Sequence, residues 1–133
     1  MSVERIKMYL LFFLSFHFSS LVYSQGDVVN DAKLAIKAGS SRELTKYLNE
    51  TVELGIDGEN ANYSRTQAEF VLKDFFKKYP PTDCQYIHQG SSPEGSKYAI
   101  GKYSHPNGSF RLFMLVKQIK GVYVIDRLDF GEE

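Results

Sequence analysis

The sequence predicts an α+β domain, with helices in the first half of the chain and antiparallel strands in the second. Apolar residues recur at helical spacing up to Tyr79, and from Asp83 onward they alternate with polar residues. Short turns separate the alternating segments, which is typical of an antiparallel meander. The chain has 133 residues, a length that fits one domain.

The N-terminal segment has the layout of a cleaved signal peptide. Two basic residues precede an apolar run over residues 8–18, and a short stretch containing small residues leads up to Ser24. A membrane-spanning helix needs about 20 apolar residues, and this run is shorter, so an uncleaved anchor is the less favoured alternative. We therefore predict a signal peptide over residues 1–24 and one domain over residues 25–133. The mature protein is expected in the periplasm or outside the cell, and not attached to a membrane.

Composition excludes several chemistries. The formal net charge is zero, which gives no support to nucleic-acid binding. Cys84 is the single cysteine, so an internal disulfide and a cysteine-held metal are both ruled out, and we expect its thiol to be a small buried apolar group. The sequence has no phosphate-binding glycine loop, nucleophile elbow or metal-ligand spacing, so no cofactor and no metal are predicted.

Two short helices and a strand are predicted first. Asp27 can cap a helix that runs to Ala38. Ser40 followed by Glu43 is a capping-box pattern and predicts the start of a second helix. Thr51–Asp57 alternates and predicts a half-buried strand. The inward residues of the second helix would be Leu44, Tyr47 and Leu48.

The principal helix is predicted from Ser64 to Tyr79. Ser64 and Gln67 form a second capping box, and Pro80 and Pro81 end the helix. Its apolar stripe is expected to lie across the sheet and consists of Ala68, Val71, Leu72, Phe75, Phe76 and Tyr79. The four strands predicted after it are Cys84–Gln89, Lys97–Tyr103, Ser109–Ile119 and Val122–Phe130.

This order of elements resembles the nuclear transport factor 2-like superfamily, in which a bent sheet wraps a long helix into a cone. The chain is more narrowly similar to small exported bacterial proteins of domain of unknown function 4783. That resemblance covers nearly the whole predicted mature chain and implies a fold and an exported location, but no activity. The segments that carry it are Tyr63–Glu69, Asp74–Phe76, His88–Gly90, Tyr98–Gly101 and Gly108–Arg111.

The superfamily includes isomerases, dehydratases and epoxide hydrolases, whose acidic and histidine side chains project into the cone. Such chemistry needs a titratable group in an apolar pocket, where burial moves its pKa toward the working pH. Alternation predicts that Cys84, Tyr86 and His88 share one strand face, with Tyr98 on the next strand. His88 is thus a candidate pocket base or ligand-binding group, with Tyr86 and Tyr98 as its wall. The alternative is a rim histidine whose nitrogens bond backbone or water.

Asp126 is the fourth candidate ligand-binding residue. If Val124 and Leu128 face the core, simple alternation would bury the Asp126 carboxylate as well, which is costly without a partner. A two-residue hairpin that pairs Ile119 with Val122 would instead place Asp126 on the outer face, within reach of a cross-strand ion pair. A β-bulge could also change the face midway along the strand.

The strand over residues 110–119 is apolar on both faces. One set of side chains is predicted to face the helix, namely Phe110, Leu112, Met114 and Val116. The other set mixes aromatic, aliphatic and cationic groups, which is typical of a covered surface, and predicts a possible homodimer through the outer sheet face. That set includes Arg111, Phe113, Leu115 and Lys117. The alternative is that its apolar members are scattered residues on an exposed surface.

The leading functional hypothesis is a non-enzymatic exported module that binds a small apolar ligand or a partner protein. It depends on the Tyr- and Phe-rich interior, on the resemblance and on the lack of a convincing set of catalytic residues. The alternative is a pocket enzyme of the isomerase or dehydratase type that uses His88 or Asp126. A self-associating structural protein is a third possibility.

Overall fold

The computed structural model describes residues 27–133, so the predicted signal peptide over residues 1–24 lies outside the described residues. Six strands in this range form one curved sheet in the order β2–β1–β6–β5–β4–β3. Neighbouring strands are antiparallel except β1 and β6, which run parallel. The predicted α+β architecture is confirmed. Its elements are α1 (Val28–Lys37), α2 (Ser41–Thr45), β1 (Leu48–Ile56), β2 (Glu59–Ser64), α3 (Arg65–Lys78), β3 (Asp83–Ser91), β4 (Lys97–His105), β5 (Gly108–Ile119) and β6 (Val122–Glu132).

Side chains cap the N-termini of the helices where the sequence predicts caps. The Asp27 carboxylate accepts a hydrogen bond from the Val29 amide at 3.0 Å. At α3 the capping box is complete, because the Ser64 hydroxyl accepts from the Gln67 amide and the Gln67 side chain accepts from the Ser64 amide. Two otherwise unsatisfied amides are thereby bonded, which fixes the point where α3 leaves β2.

The second helix differs from the prediction. Ser40 accepts from the Glu43 amide at 3.1 Å, but the Glu43 carboxylate binds the Lys46 ammonium at 3.0 Å, so only half of the capping box forms. The helix ends at Thr45, and Leu48 begins β1 beside Ile125 instead of continuing the helix. Pairing with the sheet overrides the local helical pattern at this point.

Strand β2 was not predicted. Residues 57–60 read as a turn, and the segment from Glu59 to Ser64 shows no apolar alternation. It forms a hairpin with β1 at the edge of the sheet, and all but one of its residues are exposed. A strand with so little buried surface carries no period-two signal, since that signal comes from burial of one face.

The core lies between the helices and one face of the sheet. Phe75 of α3 is its centre, with ring centroids 4.3 Å from Phe130 and 5.3 Å from Tyr103. The helix-facing residues predicted for β5 are confirmed, because Leu112, Met114 and Val116 are fully buried and Phe110 is nearly so. The long helix therefore packs its aromatic stripe onto the sheet.

Candidate functional site

A β-bulge in β3 separates the predicted site residues onto two faces. Tyr86 pairs with Gly101 and His88 pairs with Ile100, so Ile87 is an extra residue in the ladder. Cys84 and Tyr86 point toward the helices, whereas His88 points to the outer face. The prediction that His88 shares a face with Tyr86 is therefore wrong, because the inserted residue shifts the alternation by one.

His88 and Tyr98 lie together on the outer face. The Nε2 atom of His88 is 2.8 Å from the Tyr98 hydroxyl, and the ring centroids are 5.5 Å apart. Gly90 lies opposite Tyr98, and a Cβ atom at that position would come within 2.5 Å of the tyrosine ring. The ring is therefore folded across the glycine. This pair belongs to a surface and not to an enclosed pocket.

Tyr86 joins the sheet to α1. Its hydroxyl donates a hydrogen bond to the Val29 carbonyl at 2.7 Å and lies 3.8 Å from the Met114 sulfur. The Lys33 ammonium is 5.5 Å from the centroid of the ring. Burial raises the pKa of the Tyr86 hydroxyl, with smaller contributions from Cys84 and Asp27, so the group is a neutral donor at ordinary pH. Its contacts are those of a residue that anchors a helix.

Cys84 is fully buried in the core, as expected from the sequence. Burial raises the pKa of its thiol to about 11, and the neighbouring Asp83 carboxylate adds to the shift. The nucleophilic form of cysteine is the thiolate, and burial disfavours that form. Cys84 therefore packs as an apolar side chain.

Asp126 occupies a second bulge, between the pairs Leu115–Arg127 and Val116–Ile125. Its carboxylate is 3.0 Å from the Lys117 ammonium and accepts a hydrogen bond from the side-chain amide of Asn49 at 3.3 Å. The predicted cross-strand ion pair is confirmed, as is the hairpin pairing of Ile119 with Val122. The hairpin register and a β-bulge were both among the alternatives for Asp126, and both are present in the strand pairing that places its carboxylate on the outer face.

The outer face carries a half-buried apolar patch across two adjacent strands. We define the outer patch as Tyr98 and Ile100 of β4 with Phe113 and Leu115 of β5, which are paired residue to residue. The Arg127 guanidinium lies 5.7 Å from the Phe113 ring centroid and 3.1 Å from the Glu53 carboxylate.

Charged side chains of both signs surround the outer patch. The cations on this face are Lys102, Arg111, Lys117 and Arg127, and the anions are Glu53, Asp126 and Asp129. An apolar centre with a charged rim is the anatomy of a protein–protein interface.

The interior of the cone is packed with side chains. Tyr103, Leu112, Met114 and Phe130 point toward the helices and are fully buried. The Tyr103 hydroxyl donates to the Tyr79 carbonyl at the end of α3, and burial raises the pKa of that hydroxyl. Aromatic rings thus fill the space in which a pocket would otherwise lie.

A cleft of 440 Å³ opens beside the C-terminal half of α3. We call it the end cleft; it is lined by Ile56, Asp57, Glu59, Val71, Asp74, Phe75, Lys78 and Tyr79. Sequence reasoning missed it. Asp57 and Glu59 lie in a segment with the composition of a turn, and Lys78 lies on the polar side of a helical pattern, so neither local pattern indicates a shared cleft.

Within residues 27–133, no group of three or more histidine, cysteine or acidic side chains is placed to hold a metal ion. None of the helices in the same range is long and apolar enough to cross a membrane.

The fold of the described residues is nuclear transport factor 2-like. An NTF2-like protein of unknown function from Shewanella baltica OS155 superposes with a TM-score of 0.59 at 12% identity, covering 77% of this chain and 86% of that one. At that identity the likeness concerns the fold alone.

The family follows from closer matches. The model of domain of unknown function DUF4783 matches residues 29–131, and the chain belongs to this family. A family protein from Bacteroides uniformis ATCC 8492 is 29% identical with a TM-score of 0.76, covering 80% of this chain and 98% of that one. One from Bacteroides ovatus ATCC 8483 is 30% identical with a TM-score of 0.74, covering 77% and 93%. No curated protein matches the sequence significantly.

Proposed function

We propose that the protein is an exported, non-enzymatic interaction module that pairs with a second copy of itself through the outer face of its sheet. The observation that carries the proposal is the outer patch. Four large side chains on two adjacent strands lie on the face opposite the helices, where the protein's own elements leave them only half buried.

The charges on the outer face favour a second copy as the partner. Arg127 bonds Glu53 and lies near Asp129, while Lys117 pairs with Asp126, so cations and anions are interspersed around the patch. A self-complementary interface brings the same surface together twice, and a surface of a single sign would repel its copy. A mixed rim removes that repulsion.

The other readings of the chain have less support. A small apolar ligand inside the cone would have to displace packed aromatic rings such as Phe75 and Phe130. A pocket enzyme would use His88 or Asp126, and both lie on the outer face with Tyr98 and Lys117 as their partners. Enzymes commonly tune a catalytic acid or base by burying it in a pocket, and neither residue lies in one.

Sedimentation equilibrium of the purified protein tests the proposal. We expect a dimer for the wild type and a monomer for Leu115→Glu, because the new carboxylate would be buried and desolvated in the interface. Leu115 lies opposite Arg127 within the sheet, so the substitution has a cationic neighbour in the monomer.

The matched control is Phe70→Glu. Phe70 is 64% exposed on α3, away from the outer face, so this variant should remain a dimer. A wild type that stays monomeric at high concentration, or equal dissociation of both variants, would contradict the proposal.

A further inference from the structure

We infer that the end cleft is a binding site for a small organic cation, an ammonium group attached to an aromatic or aliphatic body. The site is separate from the outer face. It lies between the β1–β2 hairpin and the last two turns of α3, and its volume of 440 Å³ falls within the range of small-molecule clefts.

The lining has an apolar part suited to the body of such a ligand. Ile56 and Val71 are partly buried, and Phe75 is 3% exposed at the base of the cleft. Phe75 is held in place by the rings of Phe130 and Tyr103, so this wall is already ordered before a ligand arrives. A preformed wall reduces the entropy lost on binding.

The charges of the lining favour a cation. The lining contains three carboxylates, those of Asp57, Glu59 and Asp74, and one ammonium group, that of Lys78. The cleft also lies beside the C-terminal end of α3, where the helix dipole favours positive charge. Asp57 and Gly58 are the two residues of the hairpin turn and both have positive φ, and Glu59 follows directly, so the turn sets the positions of both carboxylates.

An aromatic ring in the cleft already interacts with a cation. The Lys78 ammonium lies 5.3 Å from the centroid of Tyr79, within the distance of a cation–π interaction. The Tyr79 ring is fixed by edge contacts with Phe110 and His105, at 4.9 Å and 5.1 Å between centroids. The ammonium of a ligand would occupy the place that Lys78 takes in the free protein.

NMR titration of the amide resonances with 2-phenylethylammonium tests this inference, with 2-phenylethanol as the uncharged probe of similar shape. We expect the amine to shift resonances of the β1–β2 turn and the end of α3, and to bind about tenfold more tightly than the alcohol. Added salt should weaken the amine because the carboxylates are exposed.

Three variants sharpen the test. Asp74→Asn should weaken amine binding by about threefold, whereas Lys78→Gln should strengthen it because the competing ammonium is removed. Lys77→Gln is the matched control, since Lys77 lies in the same helical turn but outside the cleft lining, and should leave the affinity unchanged. Equal binding of the alcohol, shifts outside the cleft, no binding, or the same effect from both lysine variants would overturn the inference.

Discussion

The two faces of the sheet use similar side chains in opposite ways. Along β5, Leu112 and Met114 point toward the helices and are fully buried, whereas Phe113 and Leu115 point outward and are half buried. All four side chains are large and apolar, so the difference in their burial depends on which elements cover each face. Helices α1 and α3 close one face, and the described elements leave the other face without such a cover. Burial, and not hydrophobicity alone, decides which of these residues stabilises the fold.

The largest expected effect compares the two leucines of β5. Leu112→Ala should lower the free energy of unfolding by about 2–5 kcal/mol, because Leu112 is fully buried and its truncation leaves a cavity in the core. Leu115→Ala removes the same atoms from a half-buried site and should cost the monomer less than about 1 kcal/mol. Denaturant unfolding at low protein concentration measures both. Equal losses would mean that the outer face is part of the folding core.

A second comparison concerns two tyrosine hydroxyls, one on the buried face of the sheet and one on the outer face. Tyr103 is fully buried and its hydroxyl donates to the Tyr79 carbonyl. Tyr103→Phe should lower the free energy of unfolding by about 1–3 kcal/mol, since the carbonyl at the end of α3 loses its partner. The control is Tyr98→Phe, which removes the hydroxyl that contacts His88 on the outer face. Urea unfolding of the two variants should show the smaller loss for Tyr98→Phe.

The smallest effect is expected at the ion pair of the outer face. Lys117 and Asp126 are 3.0 Å apart, with 48% and 28% of their side chains exposed. A double-mutant cycle with Lys117→Ala and Asp126→Ala should give a coupling energy of about 0.2–1 kcal/mol, because solvent screens exposed charges. A coupling of several kcal/mol would show that this face is desolvated, which the proposed dimer could produce only at high protein concentration.

Helices and strands that bury one face were predicted from the sequence. Strand β2, which has no buried face, and the β-bulges were not. The stripe from Ala68 to Tyr79 identified α3, and alternation identified β3 to β6, because periodic burial leaves a periodic pattern. Strand β2 lacks a buried face and left no pattern. Simple alternation also cannot locate a β-bulge. One inserted residue reverses the sheet face to which every later side chain of the strand points.

The two bulges explain what was and was not predictable at the candidate site. The insertion at Ile87 moved His88 to the face opposite Tyr86, so the expected pocket around His88, with Tyr86 and Tyr98 as its wall, does not form. At Asp126 the sequence allowed both a hairpin register and a bulge that place the carboxylate on the outer face, and the observed ion pair with Lys117 was among these alternatives. The end cleft depends on the approach of a hairpin turn to a helix end, a long-range arrangement that no local pattern encodes.

The parallel pairing of β1 with β6 has a consequence for how the chain matures. Leu54 of β1 pairs with Leu128 of β6, so β1 can pair with this neighbour only after β6, the last strand, has been synthesised. Until then the β1–β2 hairpin has one open side, and the sheet cannot close around α3. Contacts of such long range slow folding, so a newly synthesised chain would stay unfolded for longer. The proposed export would benefit from that delay.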